Sequence, residues 1–302
     1  MRRFTAVFSR IVFPMLVAAA GAFALTGCPG GMPQMGLEET KDVVYGTGYV
    51  EDPANPGQYI TKNLLLDVYS TASPGDKQPA VLLIHGGSFE EGSKENEEII
   101  EYARYFARRG YVCFAMNYRL QGENPPAPSL WSIADLTSAA HAGFVDTKTA
   151  IRYIRANSAK YGVDPDRIGV WGESAGAICA LTAAVTDPDD YASDGGDFPI
   201  PEGNNPGVSP RVQACIDLWG GADHVLLQFD RGDPPIMVLH GEDDDRAFTW
   251  FSAAERIHFA LELYDIPHEF YPIEGAGHGA WDAIVNFKNV KTLCVMFLDE
   301  HL

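Results

Sequence analysis

The front of the chain carries two β-rich stretches, Val43–Val50 and Ile60–Tyr69, joined by a Pro/Asn/Gly run at Asp52–Gly57. This pattern predicts an antiparallel hairpin. Further on, Ala80–His85 and Tyr111–Asn117 are unbroken apolar runs, which predict strands covered on both faces, and Asn96–Arg108 between them has a helical period. The alternation continues with a helix over Thr147–Tyr161, a strand over Arg167–Trp171, a helix over Ala175–Val185 and a strand over Val212–Trp219. A strand over Ile236–His240, a helix over Thr249–Tyr264, a strand over His268–Ile273 and a helix over Trp281–Leu298 complete it. The expected architecture is α/β: a mostly parallel central sheet with antiparallel N-terminal strands and helices on both faces. Two stretches interrupt the rhythm, Leu120–Ala142 and Asp187–Pro210, both rich in residues that break regular structure. Connections of that length are usually functional, so both are candidate lid or pocket loops.

The first residues follow a different pattern. Arg2, Arg3 and Arg10 precede an almost unbroken apolar stretch, Ile11–Leu25, which is too short for a stable bilayer span and fits an export signal. Leu25-Thr26-Gly27-Cys28 resembles the lipobox of bacterial lipoproteins. That resemblance implies cleavage before Cys28 and acylation of its thiol. The chain would then divide into a lipoprotein signal peptide (1–27), a flexible Gly/Pro/Met-rich tether (28–41) and one folded catalytic domain (42–302), with no internal repeat. Its expected location is extracytoplasmic, held at a bacterial membrane through the lipid at Cys28.

Composition narrows the partners. At 302 residues, 46% hydrophobic and 21% charged, the chain has the makeup of a folded protein with one sizeable core. Its net charge of −19 repels phosphate backbones, so a nucleic-acid partner is not expected. Apart from Cys28, the cysteines Cys113, Cys179, Cys215 and Cys294 lie in apolar segments without metal-site or disulfide-framework spacing, and are expected as buried free thiols. No metal or organic cofactor is expected.

Candidate chemistry lies at the ends of the expected strands. Gly172-Glu173-Ser174-Ala175-Gly176 falls between a strand and a helix, where a sharp turn would expose Ser174 as a nucleophile. His85-Gly86-Gly87-Ser88-Phe89 follows another strand, and its glycines allow backbone N–H groups to face an oxyanion. Gly87 is assigned one donor, with Gly86 or Ser88 sharing, and Ala175 the other, while His85 is read as structural. The strand ending at His240 opens into Gly241-Glu242-Asp243-Asp244-Asp245, and Asp244 is chosen as the acid, with Asp243 and Asp245 as neighbours. A calcium loop is disfavoured because its alternating ligand pattern is absent. His278, on the loop Gly275-Ala276-Gly277-His278-Gly279 before the last helix, is the base. His141, His224, His258 and His301 lack such a context and are read as core or solvated residues.

The order Ser174, Asp244, His278, with these motifs, resembles the α/β-hydrolase superfamily. Within it, the chain is similar to carboxylesterases and to hormone-sensitive-lipase-like or feruloyl-esterase-like enzymes carrying His-Gly-Gly-x-Phe/Trp and Gly-Glu-Ser-Ala-Gly. Asn117-Tyr118-Arg119-Leu120 and Val163–Ile168 also look like segments that flank strands in those enzymes. The resemblance runs from about Val43 to the C-terminus and implies a serine esterase acting on small-molecule or polysaccharide-linked esters. Ser88 stands where a third glycine is common, and the segment after Leu120 lacks the usual Ala-Pro-Glu run. Prolyl-oligopeptidase-like peptidases share the residue order but usually carry a large N-terminal domain, for which residues 28–41 leave no room. A non-catalytic binding module on the same fold would typically lack the nucleophile or the base.

Overall fold

A computed structural model describes residues 36–128, 137–195 and 197–302. The export signal, Cys28 and residues 129–136 of the first expected lid or pocket loop lie outside them.

Strand β1 (Glu38–Glu51) pairs antiparallel with β2 (Tyr59–Ser70). Asp52 closes the hairpin, its carboxylate accepting the Ala54 N–H at 2.9 Å and the Asn55 side chain at 2.8 Å, the self-capping expected of Asp in a turn. β1 begins inside the segment expected as a tether: Glu38, Glu39 and Thr40 are already paired with Ser70, Tyr69 and Val68. Their polarity hid the strand, because this end of the hairpin is exposed.

The chain continues through β3 (Gln78–Ile84), α1 (Glu97–Ala107), β4 (Val112–Met116), α2 (Ser138–Ala156), the single turn α3 (Ser158–Tyr161) and β5 (Val163–Glu173). After these come α4 (Ala175–Val185), β6 (Ala214–Leu218), β7 (Ile236–Gly241), α5 (Phe251–Leu263) and β8 (His268–Ile273). A two-stranded ribbon, β9 (Ile284–Val285) and β10 (Lys288–Asn289), leads into α6 (Val290–His301). The sheet order is β1-β2-β4-β3-β5-β6-β7-β8, antiparallel through β2 and β4 and parallel from there to β8. This is the α/β-hydrolase fold.

Successive side chains of a strand point to opposite faces, and each face has its own core. Leu82, Ile84, Phe114, Val170 and Val238 pack with residues of α2, α4 and α5. Val81, Leu83, Ala115, Trp171 and Leu239 pack with residues of α1 and α6. Every residue of α4 is buried, so this helix has no polar stripe; truncating Leu181 to Ala would cost about 2–5 kcal/mol.

Helix α2 departs most from the expected pattern, starting nine residues before Thr147. The Thr137 side chain accepts the Ala140 N–H at 3.2 Å and sets that start. Nearly all of α2 is buried, including Asp146, Lys148 and Arg152, so no amphipathic period marks its first turns. Lys148 Nζ donates to the carbonyls of Asp187 (2.6 Å) and Asp190 (2.8 Å), and Arg152 to that of Pro188 (3.2 Å). These bonds hold the start of the 187–210 stretch against α2. Asn204 holds a later part, accepting the Thr47 N–H at 2.9 Å and donating to the Thr47 carbonyl at 2.7 Å. The last helix also starts later than expected, because Asn289 caps it by accepting from the Thr292 N–H and hydroxyl.

Candidate active site

Ser174 is the single residue between β5 and α4, with φ 54° and ψ −120°. A positive φ in a non-glycine residue typically costs about 1–3 kcal/mol and persists only where its surroundings enforce it. Here they do: a Cβ on Gly172 would lie 2.2 Å from the Gly176 carbonyl oxygen, and one on Gly176 would lie 2.1 Å from that of Ile84. The two glycines let strand and helix approach, and the Ser174 N–H is tied to the Leu218 carbonyl at 2.9 Å.

Three segments converge there. The Ser174 hydroxyl lies 2.9 Å from His278 Nε2, and the opposite ring nitrogen, Nδ1, donates to Asp244 Oδ2 at 2.7 Å. Asp243 and Asp245 are exposed, whereas Asp244 is buried, and its other oxygen accepts the Arg246 N–H at 3.0 Å. Trp219 stands edge-on to His278, with ring centroids 6.5 Å apart, and is backed by Trp281 at 4.5 Å.

His240 is a contributor that sequence reading missed. It is fully buried, and its Nε2–H is shared between Asp244 Oδ2 (3.0 Å) and the Thr249 carbonyl (2.7 Å). Burial holds its pKa below the ordinary histidine value, so the ring is a neutral donor. The only available signal was its place at the end of a strand, immediately before the acidic run.

The loop expected to face an oxyanion differs from expectation at one position. Gly86 is not a free donor, because its N–H is given to the Glu173 carboxylate. Burial raises the Glu173 pKa, opposed by that N–H and by the Trp219 indole. Glu173 thereby braces the loop beside its own neighbour, Ser174. Among the described residues, no hydrogen bond takes up the N–H of Gly87 or of Ala175. Gly87 has φ 107°, and a Cβ there would meet the Glu91 carbonyl oxygen at 2.1 Å. His85 stacks on Tyr118 at 4.3 Å and gives Nδ1–H to the Gly86 carbonyl at 2.7 Å, and burial pushes its pKa down to about 4.

A cavity of about 220 Å³ opens at Ser174, lined by Phe89, Ile178, Phe248, Ala175, Thr137 and Arg246 among others. Among the described residues, none of the 187–210 stretch lines it, whereas Thr137 comes from the other stretch expected as a lid or pocket loop. A larger hollow of about 430 Å³, near Ala183, Pro210, Pro235 and His301, shares no residue with it. Cys113, Cys179, Cys215 and Cys294 are buried free thiols.

The profile of the BD-FAE family matches residues 66–232, more than half of the chain. The chain belongs to the BD-FAE family. The matched segment contains Gly87 and Ser174 and ends before Asp244 and His278. Esterase LipQ of Mycobacterium tuberculosis is 30% identical over 249 residues, covering 68% of this chain and 49% of that protein. The para-nitrobenzyl esterase of Bacillus subtilis is 30% identical over 122 residues, covering 40% of this chain and 24% of the relative. The chain thus spans half or less of the length of these curated relatives. Among solved structures, a butyrate-bound thermophilic esterase from Thermogutta terrifontis superposes with a TM-score of 0.63 at 22% identity, covering 90% of this chain and 96% of that one.

Proposed function

We propose that the protein is a carboxylic ester hydrolase working through a Ser174 acyl-enzyme. The observation that carries this reading is the Ser174–His278–Asp244 relay, at 2.9 and 2.7 Å, at the mouth of an apolar cavity. His278 Nε2 takes the Ser174 proton as Oγ attacks the ester carbonyl, and Asp244 holds the tautomer that leaves Nε2 free and stabilises the imidazolium. The negative charge on the tetrahedral oxygen falls to the N–H groups of Gly87 and Ala175. His278 then gives its proton to the departing alcohol. Water, deprotonated by the same nitrogen, attacks the acyl-enzyme, and His278 returns that proton to Ser174 Oγ as the acid leaves. Family membership and esterase relatives support this reading.

At about 220 Å³ the cavity is smaller than the roughly 300–1,000 Å³ of pockets for drug-sized ligands, which favours a short acyl group. Hydrolysis of a p-nitrophenyl ester series from acetyl upward, beside the same series with Ser174→Ala, tests the proposal. Turnover by the wild type alone, highest with short acyl groups, is expected. A folded wild type that cleaves no ester and leaves a fluorophosphonate probe unreacted would overturn it.

We also propose export and lipid anchoring through Cys28. Intact-mass analysis of the mature N-terminus is expected to find a diacylglyceryl-modified Cys28; an unprocessed Met1 or a chain lacking lipid would refute it.

A further inference from the structure

Away from Ser174, α5 and the start of β8 bring together His258, Glu262 and His268. One turn of helix separates His258 from Glu262, so both project from the same face of α5. His268 is the first residue of β8 and meets them across the Tyr264–Pro267 connection. Glu262 Oε1 lies 3.4 Å from His268 Nε2 and 3.7 Å from His258 Nε2, and one ligand atom from each of the three falls within 4.8 Å of the others.

We infer that His258, Glu262 and His268 form a binding site for a divalent cation of the zinc class. Two imidazoles and one carboxylate are the donor set of open zinc sites, in which water completes the coordination. With metal–ligand bonds of about 2.0–2.1 Å, neighbouring ligand atoms of a tetrahedron stand about 3.3–3.4 Å apart. The 3.4 Å separation matches that edge, and the 3.7 Å one exceeds it by a few tenths of an ångström. The rings are also oriented as ligands usually are. His268 donates Nδ1–H to the Ile266 carbonyl at 2.7 Å, which leaves the Nε2 lone pair facing Glu262, the outer bond that fixes a ligand's tautomer. His258 lies flat on Phe270, 4.3 Å between centroids and 13° between planes, so its ring is positioned before any cation arrives.

The chemistry selects the ion. Mixed imidazole and carboxylate donors suit zinc and its neighbours better than calcium or magnesium, which prefer all-oxygen shells. Bound there, the cation would cross-link the end of α5 to β8. Among the described residues that strand is the sheet edge, paired to β7, and its far end leads into the loop carrying His278. The inference is independent of the proposed hydrolysis.

The test uses the untagged full-length chain, stripped with chelator and titrated with Zn²⁺, or with Co²⁺ as a spectroscopic stand-in. One equivalent is expected to bind, with visible Co²⁺ bands of a four- or five-coordinate ion. Saturating Zn²⁺ is expected to raise Tm by a few degrees, because a ligand that binds only the folded state stabilises it. In His258→Ala/His268→Ala, affinity should fall at least tenfold and the Tm shift should disappear. Glu262→Gln, an exposed and nearly isosteric change, serves as a second variant and should weaken binding while leaving the metal-free Tm unchanged. Wild-type protein that binds no Zn²⁺ at tens of micromolar, or variants that bind it as tightly as wild type, would overturn the site.

Discussion

The Arg119 cluster and the Ser174 site both gather ionisable groups from distant parts of the chain and bury them, yet they differ in what is left unbonded. Arg119 directs Nε and Nη2 at Asp146 (3.0 and 2.7 Å) and both terminal nitrogens at Asp194 (2.7 and 2.8 Å), and adds the Tyr49 carbonyl at 3.0 Å. Burial alone would lower its pKa, but the two carboxylates outweigh it and hold the guanidinium charged. Its donors are turned inward, so the cluster ties β1, α2 and the 187–195 stretch together and opens onto nothing. At Ser174 the relay is equally well bonded at its inner end, where Asp244 receives His278, His240 and the Arg246 N–H. Its outer end, the serine hydroxyl, meets a cavity. On the proposed function, that open end is what separates a reactive cluster from a structural one.

The largest expected effect is on chemistry with no effect on folding. Ser174→Ala should lower ester turnover by at least about a thousandfold. Its thermal unfolding midpoint should not fall, and relief of the positive φ is not expected because Ala shares the strain. Turnover within tenfold of wild type would break the comparison from the reactive side.

Asp146→Ala should do the reverse. It leaves a buried guanidinium partly uncompensated, at a cost of about 3–5 kcal/mol, while the turnover per folded molecule stays near wild type. Urea unfolding and active-site titration measure the two quantities separately; an equally stable variant would mean that the cluster contributes nothing.

Asp217 supplies an intermediate case, a fully buried carboxylate. Its Oδ1 accepts the Gly220 N–H at 2.8 Å, while Oδ2 has no partner among the described residues. Burial raises its pKa from 3.8 to about 7. The folded state therefore keeps a proton that the unfolded state has lost, so this residue's contribution to stability falls as pH rises from about 4 to 7 and is flat above. Asp217→Asn keeps an acceptor for Gly220 and should exceed wild type in stability at pH 8, on the order of 2 kcal/mol, with the gap closing toward pH 4. Denaturant midpoints across that range check it, and a gap independent of pH would refute the assignment.

The smallest effect belongs to the residue that only orients the acid. His240→Phe keeps a ring but removes the N–H from Asp244, and is expected to lower kcat about tenfold, near 1.4 kcal/mol, with KM unchanged. An unchanged kcat would mean that the Arg246 N–H alone holds Asp244.

Legibility in the sequence followed burial. The parallel strands were readable because both faces are covered, which makes them continuous apolar runs, and Ser174 was readable because Gly172 and Gly176 leave a spacing that only a tight strand-to-helix turn requires. The start of α2 was not readable, since a helix buried over nearly its whole length, with Asp146 held by Arg119 and Lys148 by the Asp187 and Asp190 carbonyls, has no polar face to set a period. Gly86 was misread for a related reason. The motif fixes a flexible backbone, but which N–H remains open depends on the Glu173 carboxylate arriving from another strand.

By itself, the sequence determined the order of strands and helices, the acidic surface and three chemically suited residues in a fixed order, because these depend on local pattern and on glycine's permissive backbone. Only the tertiary structure decided that Asp244 is the aspartate of its acidic run that meets His278, that His240 stands behind it, and that Arg119 is closed off while Ser174 opens on a cavity. Those outcomes depend on hydrogen bonds that reach across the chain, over 34 positions for Asp244 and His278 and 104 for Ser174 and His278, or on burial that no local pattern encodes.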